Sequence, residues 1–180
     1  IEKEISKLIS RFDHLSVREK HGADLIKKIC GKQAQVVLDP TLLLDINGWQ
    51  ELLDNQVKGN DKRIDGDYII CYFLGDYRKY NRAVKKIANK LHMPIYVIPV
   101  FQNQENRVPF DVGPAEFVNL IKNAKYVCTD SFHGVAFSIN FNIPFSAFKR
   151  FNEKDPINQN SRIYNILDIT GLQDRLINNN

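Results

Sequence analysis

Ile5, Leu8 and Ile9 recur at helical spacing, so the chain is expected to begin with a helix from Lys3 to Ser10. Phe12 to Val17 has the character of a short strand and is closed by Arg18. From Glu19 to Cys30 the apolar positions Leu25, Ile26 and Ile29 share one helical face, and Gly31 stands where a left-handed cap is wanted. Val36 to Leu38 reads as another short strand, ended by Asp39-Pro40.

The polar stretch from Asn55 to Gly66 marks a domain or subdomain edge, because beyond it strand and helix patterns alternate strictly. Tyr68 to Leu74 is a strand, and Arg78 to Leu91 a helix with Ala83, Val84, Ile87, Ala88 and Leu91 inward. Ile95 to Val100 is the next strand. Pro114 to Lys122 opens as a helix on a first-turn proline, Tyr126 to Thr129 is a strand, Phe132 to Phe141 a helix and Phe145 to Phe148 a strand. Two short helices, Arg162 to Leu167 and Leu172 to Ile177, flank Gly171, and Asn178-Asn179-Asn180 is expected to fray. Short apolar strands in the order βαβαβαβ predict a Rossmann-like α/β domain, a parallel sheet with helices on both faces.

Composition changes this picture little. With 43% hydrophobic residues in 180, the chain suits one substantial core. It opens at Ile1 already in a helical pattern and its one methionine is Met93, so a longer native protein is expected. The longest apolar run, Tyr68 to Leu74, is far short of the ~20 residues of a membrane span, so membrane contact is expected to be peripheral at most. Three cysteines, Cys30, Cys71 and Cys128, are odd in number and lack metal-ligand spacing, and Cys71 and Cys128 sit inside apolar strands. Reduced thiols, and a reducing cytoplasm, are expected. The net charge of +4 is spread among acids without a basic stripe, which argues against nucleic acid and fits an anionic small substrate equally well.

No Gly-x-Gly-x-x-Gly and no Walker loop is present, so usual nucleotide binding is not supported. Ligands of such sheets bind beyond the carboxyl ends of the strands, which directs attention to Lys125 through Asn140, where a strand turns at Thr129-Asp130-Ser131 into a helix. That helix is apolar nearly all round (Val135, Ala136, Phe137, Ile139, Phe141) and should be buried, so its first N–H groups need partners. Ser131 or Asp130 can cap one, and a phosphate or carboxylate would satisfy others beginning at Phe132. Gly134 would let a ligand approach the backbone. His133 is a candidate anion donor or general acid, histidine ordinarily titrating near neutrality, or else a packed capping residue. Ser131 and His133 are two apart and point to different sides of a helix, which rules out a Ser–His nucleophilic pair. Gly75 and Arg78 share the strand-to-helix geometry and either face the cleft or form a plain turn. Glu116 reads as a dipole-complementing acid, and Arg162 either reaches the cleft or pairs with Asp168.

The run from Gly113 through Ser138, with Thr129-Asp-Ser-Phe-His-Gly134 at its centre and Ile143-Pro-Phe after it, resembles the signature of bacterial polysaccharide pyruvyl transferase family proteins. Leu15-Ser-Val-Arg-Glu19 with Asp39-Pro-Thr41 upstream, and Asn160-Ser-Arg-Ile163 downstream, extend the resemblance over most of the chain. It implies two Rossmann-like domains in the manner of GT-B glycosyltransferases, with residues 1–66 as connecting segment and residues 67–180 as the C-terminal domain. By position, Arg18 resembles the family's arginine for the donor's anionic end, and His133 its active-site histidine. Some members carry Arg-Leu where this chain has Ser131-Phe132, which removes one cation from the donor pocket.

The resemblance implies transfer of the enolpyruvyl group of phosphoenolpyruvate to a sugar or lipid-linked oligosaccharide in exopolysaccharide biosynthesis, forming a pyruvate ketal, with no cofactor or metal. A GT-B glycosyltransferase using a nucleotide sugar remains open, with Glu116 as its apt carboxylate for a ribose. A non-catalytic module is the third reading.

Overall fold

A computed structural model of the chain describes residues 1–56, 63–100, 104–156 and 158–177. The polar stretch around residues 57–62 and the terminal asparagines lie outside the described residues. The chain divides into two compact units, Ile1–Leu43 and Leu44–Asn180.

The first unit is a small βαβ arrangement. Helix α1 (Glu2–Ile9) precedes β1 (Ser16–Val17), α2 (Lys20–Cys30) and β2 (Gln35–Val36), and the two strands pair in parallel. Gly31 ends α2 at φ 74°, the left-handed cap expected of it. The strand expected over Phe12 to Val17 shrinks to two residues, and Phe12 is exposed. No apolar side chain of residues 1–43 is fully buried, and Ile5, Leu8, Phe12 and Leu25 are exposed. What is buried is polar: Asp39, just before a short 3-10 turn at Pro40–Leu42.

The second unit contains β3 (Ile69–Tyr72), β4 (Ile95–Val97), β5 (Tyr126–Thr129), β6 (Phe145–Phe148) and β7 (Leu176–Ile177) in one parallel sheet of order β4-β3-β5-β6-β7. Its helices are α3 (Ile46–Gln56), α4 (Asn81–Leu91), α5 (Pro114–Lys122), α6 (Phe132–Asn140) and α7 (Ser161–Thr170). Alternation along β3 divides the core. Ile69, Cys71 and Phe73 pack with Val84 and Ala88 of α4 on one face, whereas Tyr68 donates its hydroxyl to the Leu120 carbonyl and Tyr72 meets Phe117, both of α5, on the other. The sheet is therefore flanked by helices on both faces, as the strand-helix alternation predicts. Cys71 and Cys128 are free and buried on paired strands.

The strand expected over Ile95 to Val100 ends at Val97, and the helix expected from Arg78 starts at Asn81 after a 3-10 turn at Tyr77–Lys79; two elements of the second unit differ from expectation in kind. Residues 172–177 form not a helix but a 3-10 turn (Gln173–Arg175) followed by β7. Six residues after a left-handed glycine are too few for a stable helix, and the open edge of β6 at Ala147 and Phe148 offers backbone partners instead. Helix α3 is absent from the sequence expectations. Its start is fixed by Asp45, whose Oδ1 accepts from the N–H groups of Asn47 (3.1 Å) and Gly48 (2.9 Å). Its apolar face, Trp49 and Leu53, turns inward, with Trp49 edge-on to Phe137 of α6 at 5.0 Å. Among the described residues no helix is long and apolar enough to cross a membrane.

Candidate active site

The strand order places a topological switch between β3 and β5: the chain leaves β3 to one side for β4, then returns to add β5 on the other. Crossover helices then diverge to opposite faces, leaving a crevice at the strands' carboxyl ends. The residues after β3 (Leu74, Gly75), after β5 (Asp130, Ser131) and after β6 (Lys149, Arg150) meet there.

Asp130 organises the crevice. It is 1% exposed, and its carboxylate accepts from Leu74 N–H (2.7 Å) and Gly75 N–H (2.9 Å). The hydroxyl of buried Tyr80 lies 3.3 Å from the same carboxylate and 2.9 Å from the Lys149 carbonyl. Burial pushes the Asp130 carboxyl above its ordinary value, against the opposing pull of these donors and of the Arg150 guanidinium. Asp130 thus joins three strand ends rather than capping α6. The cap is Ser131, whose hydroxyl oxygen accepts from Gly134 N–H at 3.5 Å. Thr129 locks the turn, donating to the Tyr72 carbonyl (2.7 Å) and accepting from Ser131 N–H (3.0 Å).

Gly134 is buried, and the space beside its Cα is filled by protein. A Cβ there would lie 2.4 Å from Thr129 Oγ1 and 2.9 Å from its Cβ and Cγ2. Packing of α6 on β5 is the reason for glycine at this position. Gly134→Ala is expected to lower stability by about 1–3 kcal/mol through overpacking, seen as a lower urea midpoint with an unchanged slope. Gly75 is likewise fixed by close approach, since a Cβ would sit 2.8 Å from Arg150 Cγ and 2.9 Å from Asp130 Oδ2.

Two cavities open at this point, sharing Leu74, Ser131 and His133 as a common wall. The larger, about 450 Å³, is mostly apolar, lined by Trp49, Leu53, Tyr72, Phe117 and Phe137 among others. The smaller, about 90 Å³, is polar and contains Asp130, Arg150, Asn160 and Arg162. His133 is exposed between them, and half-buried Phe132 meets its ring edge-on at 5.4 Å. Of the residues singled out in the sequence, Ser131, Phe132, His133, Asp130 and Arg162 therefore line one crevice, and Gly75 abuts it.

The others lie elsewhere in their local structure. Arg78 is exposed and closes on Asp76, two residues before it, at 2.7 and 3.0 Å. Glu116 caps α5 by accepting from Gly113 N–H at 2.9 Å, as a dipole-complementing acid should. Arg18, in the first unit, donates to the carboxylate of buried Asp39. Burial by itself raises the Asp39 carboxyl, but the Thr41 N–H and hydroxyl and the Arg18 guanidinium together outweigh it and hold the group below its ordinary value.

Four contributing residues were not expected from the sequence. Trp49 and Leu53 arrive on α3, and their spacing with Leu52 and Gln56, at i, i+3, i+4 and i+7 after an Asp cap, is the signal that would have found them. Arg150 has no such signal, being the second of a Lys149-Arg150 pair after a strand, with no periodicity or motif around it. Asn160, 2% exposed, clamps the residue beside it: its Oδ1 accepts from Phe151 N–H (3.2 Å) and its Nδ2 donates to the Phe151 carbonyl (2.8 Å).

A family model described as polysaccharide pyruvyl transferase matches residues 1–150, taking in Arg18 and the whole β5–α6 segment. Comparisons with curated proteins and with solved structures gave no match.

Proposed function

The chain belongs to the polysaccharide pyruvyl transferase family, and from that premise we propose that it moves the enolpyruvyl group of phosphoenolpyruvate onto sugar hydroxyls, closing a pyruvate ketal on a cell-surface glycan or its precursor. The observation that carries this reading is His133 standing between a small cation-lined cavity and a larger one at the sheet's switch point. A group-transfer enzyme needs such a partition, with an anionic donor on one side and an acceptor on the other.

The reaction begins with a proton delivered to the donor's methylene carbon, which becomes a methyl group and leaves a cationic carbon bearing carboxylate and phosphate. A sugar hydroxyl attacks that carbon, and its proton passes to the phosphate, which departs as hydrogen phosphate. The carbon–oxygen bond to phosphate breaks, and a second hydroxyl closes the ketal, its proton balancing the one first consumed. His133 is the proposed acid or phosphate ligand, and its exposure in the crevice leaves it accessible to a substrate. Positive charge from Arg150 and Arg162 suits departing phosphate. Arg18 is the proposed clamp for the donor's anionic end, by its position in the family pattern. Against a nucleotide-sugar donor, Glu116, the apt carboxylate for a ribose, is engaged in capping α5.

Calorimetric titration with phosphoenolpyruvate beside a UDP-sugar tests the reading. Phosphoenolpyruvate is expected to bind and the UDP-sugar is not; binding of the UDP-sugar alone would turn the assignment to a glycosyltransferase.

A further inference from the structure

Arg150 is built into the crevice more carefully than a surface arginine needs to be. Its side chain is 23% exposed, and its stem passes over Gly75, where any Cβ would collide with it. The guanidinium lies over the Phe151 ring at 5.5 Å, and Asn160 pins the Phe151 backbone. One terminal nitrogen donates to the Asp130 carbonyl at 3.0 Å. Nε lies 3.8 Å from the Asp130 carboxylate, beyond hydrogen-bond range, and is buried without a hydrogen-bond partner among the described residues.

A structural counter-ion would look different. Arginine placed to neutralise a carboxylate usually forks onto both oxygens. Here both oxygens of Asp130 already receive backbone N–H donors from Leu74 and Gly75, and the guanidinium stands off. The aspartate's carboxylate holds the cation in place by charge and takes no hydrogen bond from Nε, and its carbonyl takes one from a terminal nitrogen. The cavity that Arg150 lines with Arg162 and His133 is about 90 Å³, well below the ~300 Å³ from which pockets for drug-sized ligands begin, a size that suits a small group such as a phosphate. Guanidinium groups reaching it from the end of β6 and from α7, with the His133 imidazole at the start of α6, suit a tetrahedral anion approached from several sides.

We propose that Arg150 binds the phosphate group of the substrate in this cavity, held ready by Asp130, Phe151 and Gly75. The identity of the ligand rests on the donor reading above; the role of Arg150 does not. The test is calorimetric titration of the chain with inorganic phosphate and, separately, with phosphoenolpyruvate, on wild type, Arg150→Lys and Arg150→Met, each checked by thermal melting. Loss of a charge-assisted hydrogen bond is expected to weaken phosphate binding roughly 10-fold or more in Arg150→Met. Arg150→Lys keeps a cation beside Asp130, and so its fold, but loses the planar fork and should weaken binding several-fold. If Arg150→Met fails to fold, Arg150→Lys decides alone. Wild-type phosphate affinity in a folded variant, or no phosphate binding by wild type, overturns the proposal. Phosphoenolpyruvate binding that is undiminished in the variants overturns the role of Arg150 and leaves the donor reading standing. Phosphate binding that depends on Arg150, with no binding of phosphoenolpyruvate, supports the role of Arg150 and removes the donor.

Discussion

Replacing His133 with alanine is expected to slow phosphoenolpyruvate-dependent ketal formation by about 10²–10⁴-fold, the usual contribution of a positioned general acid. The melting temperature should stay close to wild type, because the side chain is exposed and its described ring contact is with the neighbouring Phe132. His133→Gln separates the two roles open to this residue. A glutamine amide still donates a hydrogen bond to phosphate but cannot deliver a proton, so a phosphate ligand would be partly rescued and show mainly a raised KM, whereas an acid would show a lost kcat. Unchanged turnover in His133→Ala would remove this residue from the mechanism.

Asp130→Ala is expected to destabilise the second unit by about 3–5 kcal/mol, a large share of the stability of an ordinary domain. The reason is asymmetric. Burial raises the carboxyl above its ordinary value, so the ionised group by itself gains little from being where it is. Removing it nevertheless leaves Leu74 N–H and Gly75 N–H short of an acceptor and Arg150 without its counter-charge, while the Tyr80 hydroxyl keeps the Lys149 carbonyl. Denaturant unfolding monitored by the fluorescence of Trp49, the chain's one tryptophan, reads this directly. A loss below about 1 kcal/mol would mean that water replaces the carboxylate, and that Asp130 does not hold the strand ends together.

The strands nearest the site were legible because their signals are local. Tyr126–Thr129 and Phe145–Phe148 appear with the boundaries the apolar pattern predicts, and Pro114 opens α5 at its first position. The start of α6 is likewise local: an apolar helix after a strand leaves N–H groups to satisfy, and Ser131 satisfies one. Helix α3 escaped because Asn47-Gly48 interrupts its first turn, although Asp45 caps that turn. Leu176–Ile177 became a strand through an edge 28 residues away in sequence, at Ala147 and Phe148, which no window around residue 176 contains.

The sequence by itself determined the βα alternation, hence a parallel sheet, and it determined the strand–Ser131–helix turn that presents His133. Both follow from periodicity and capping, which act over a few residues. Only the tertiary structure decided what Asp130, Gly134 and Arg150 do. Asp130 sits beside a helix start and would pass for a cap, yet it binds the end of a different strand. Gly134 would pass for a place of close ligand approach, yet Thr129 occupies the space. Arg150 lies in no motif of the chain and gains its surroundings from Gly75, Asp130 and Asn160, brought from 75, 20 and 10 residues away by the order of the strands. Contacts of that kind depend on which strand ends become neighbours, and strand order is settled by packing of the whole sheet rather than by any one segment.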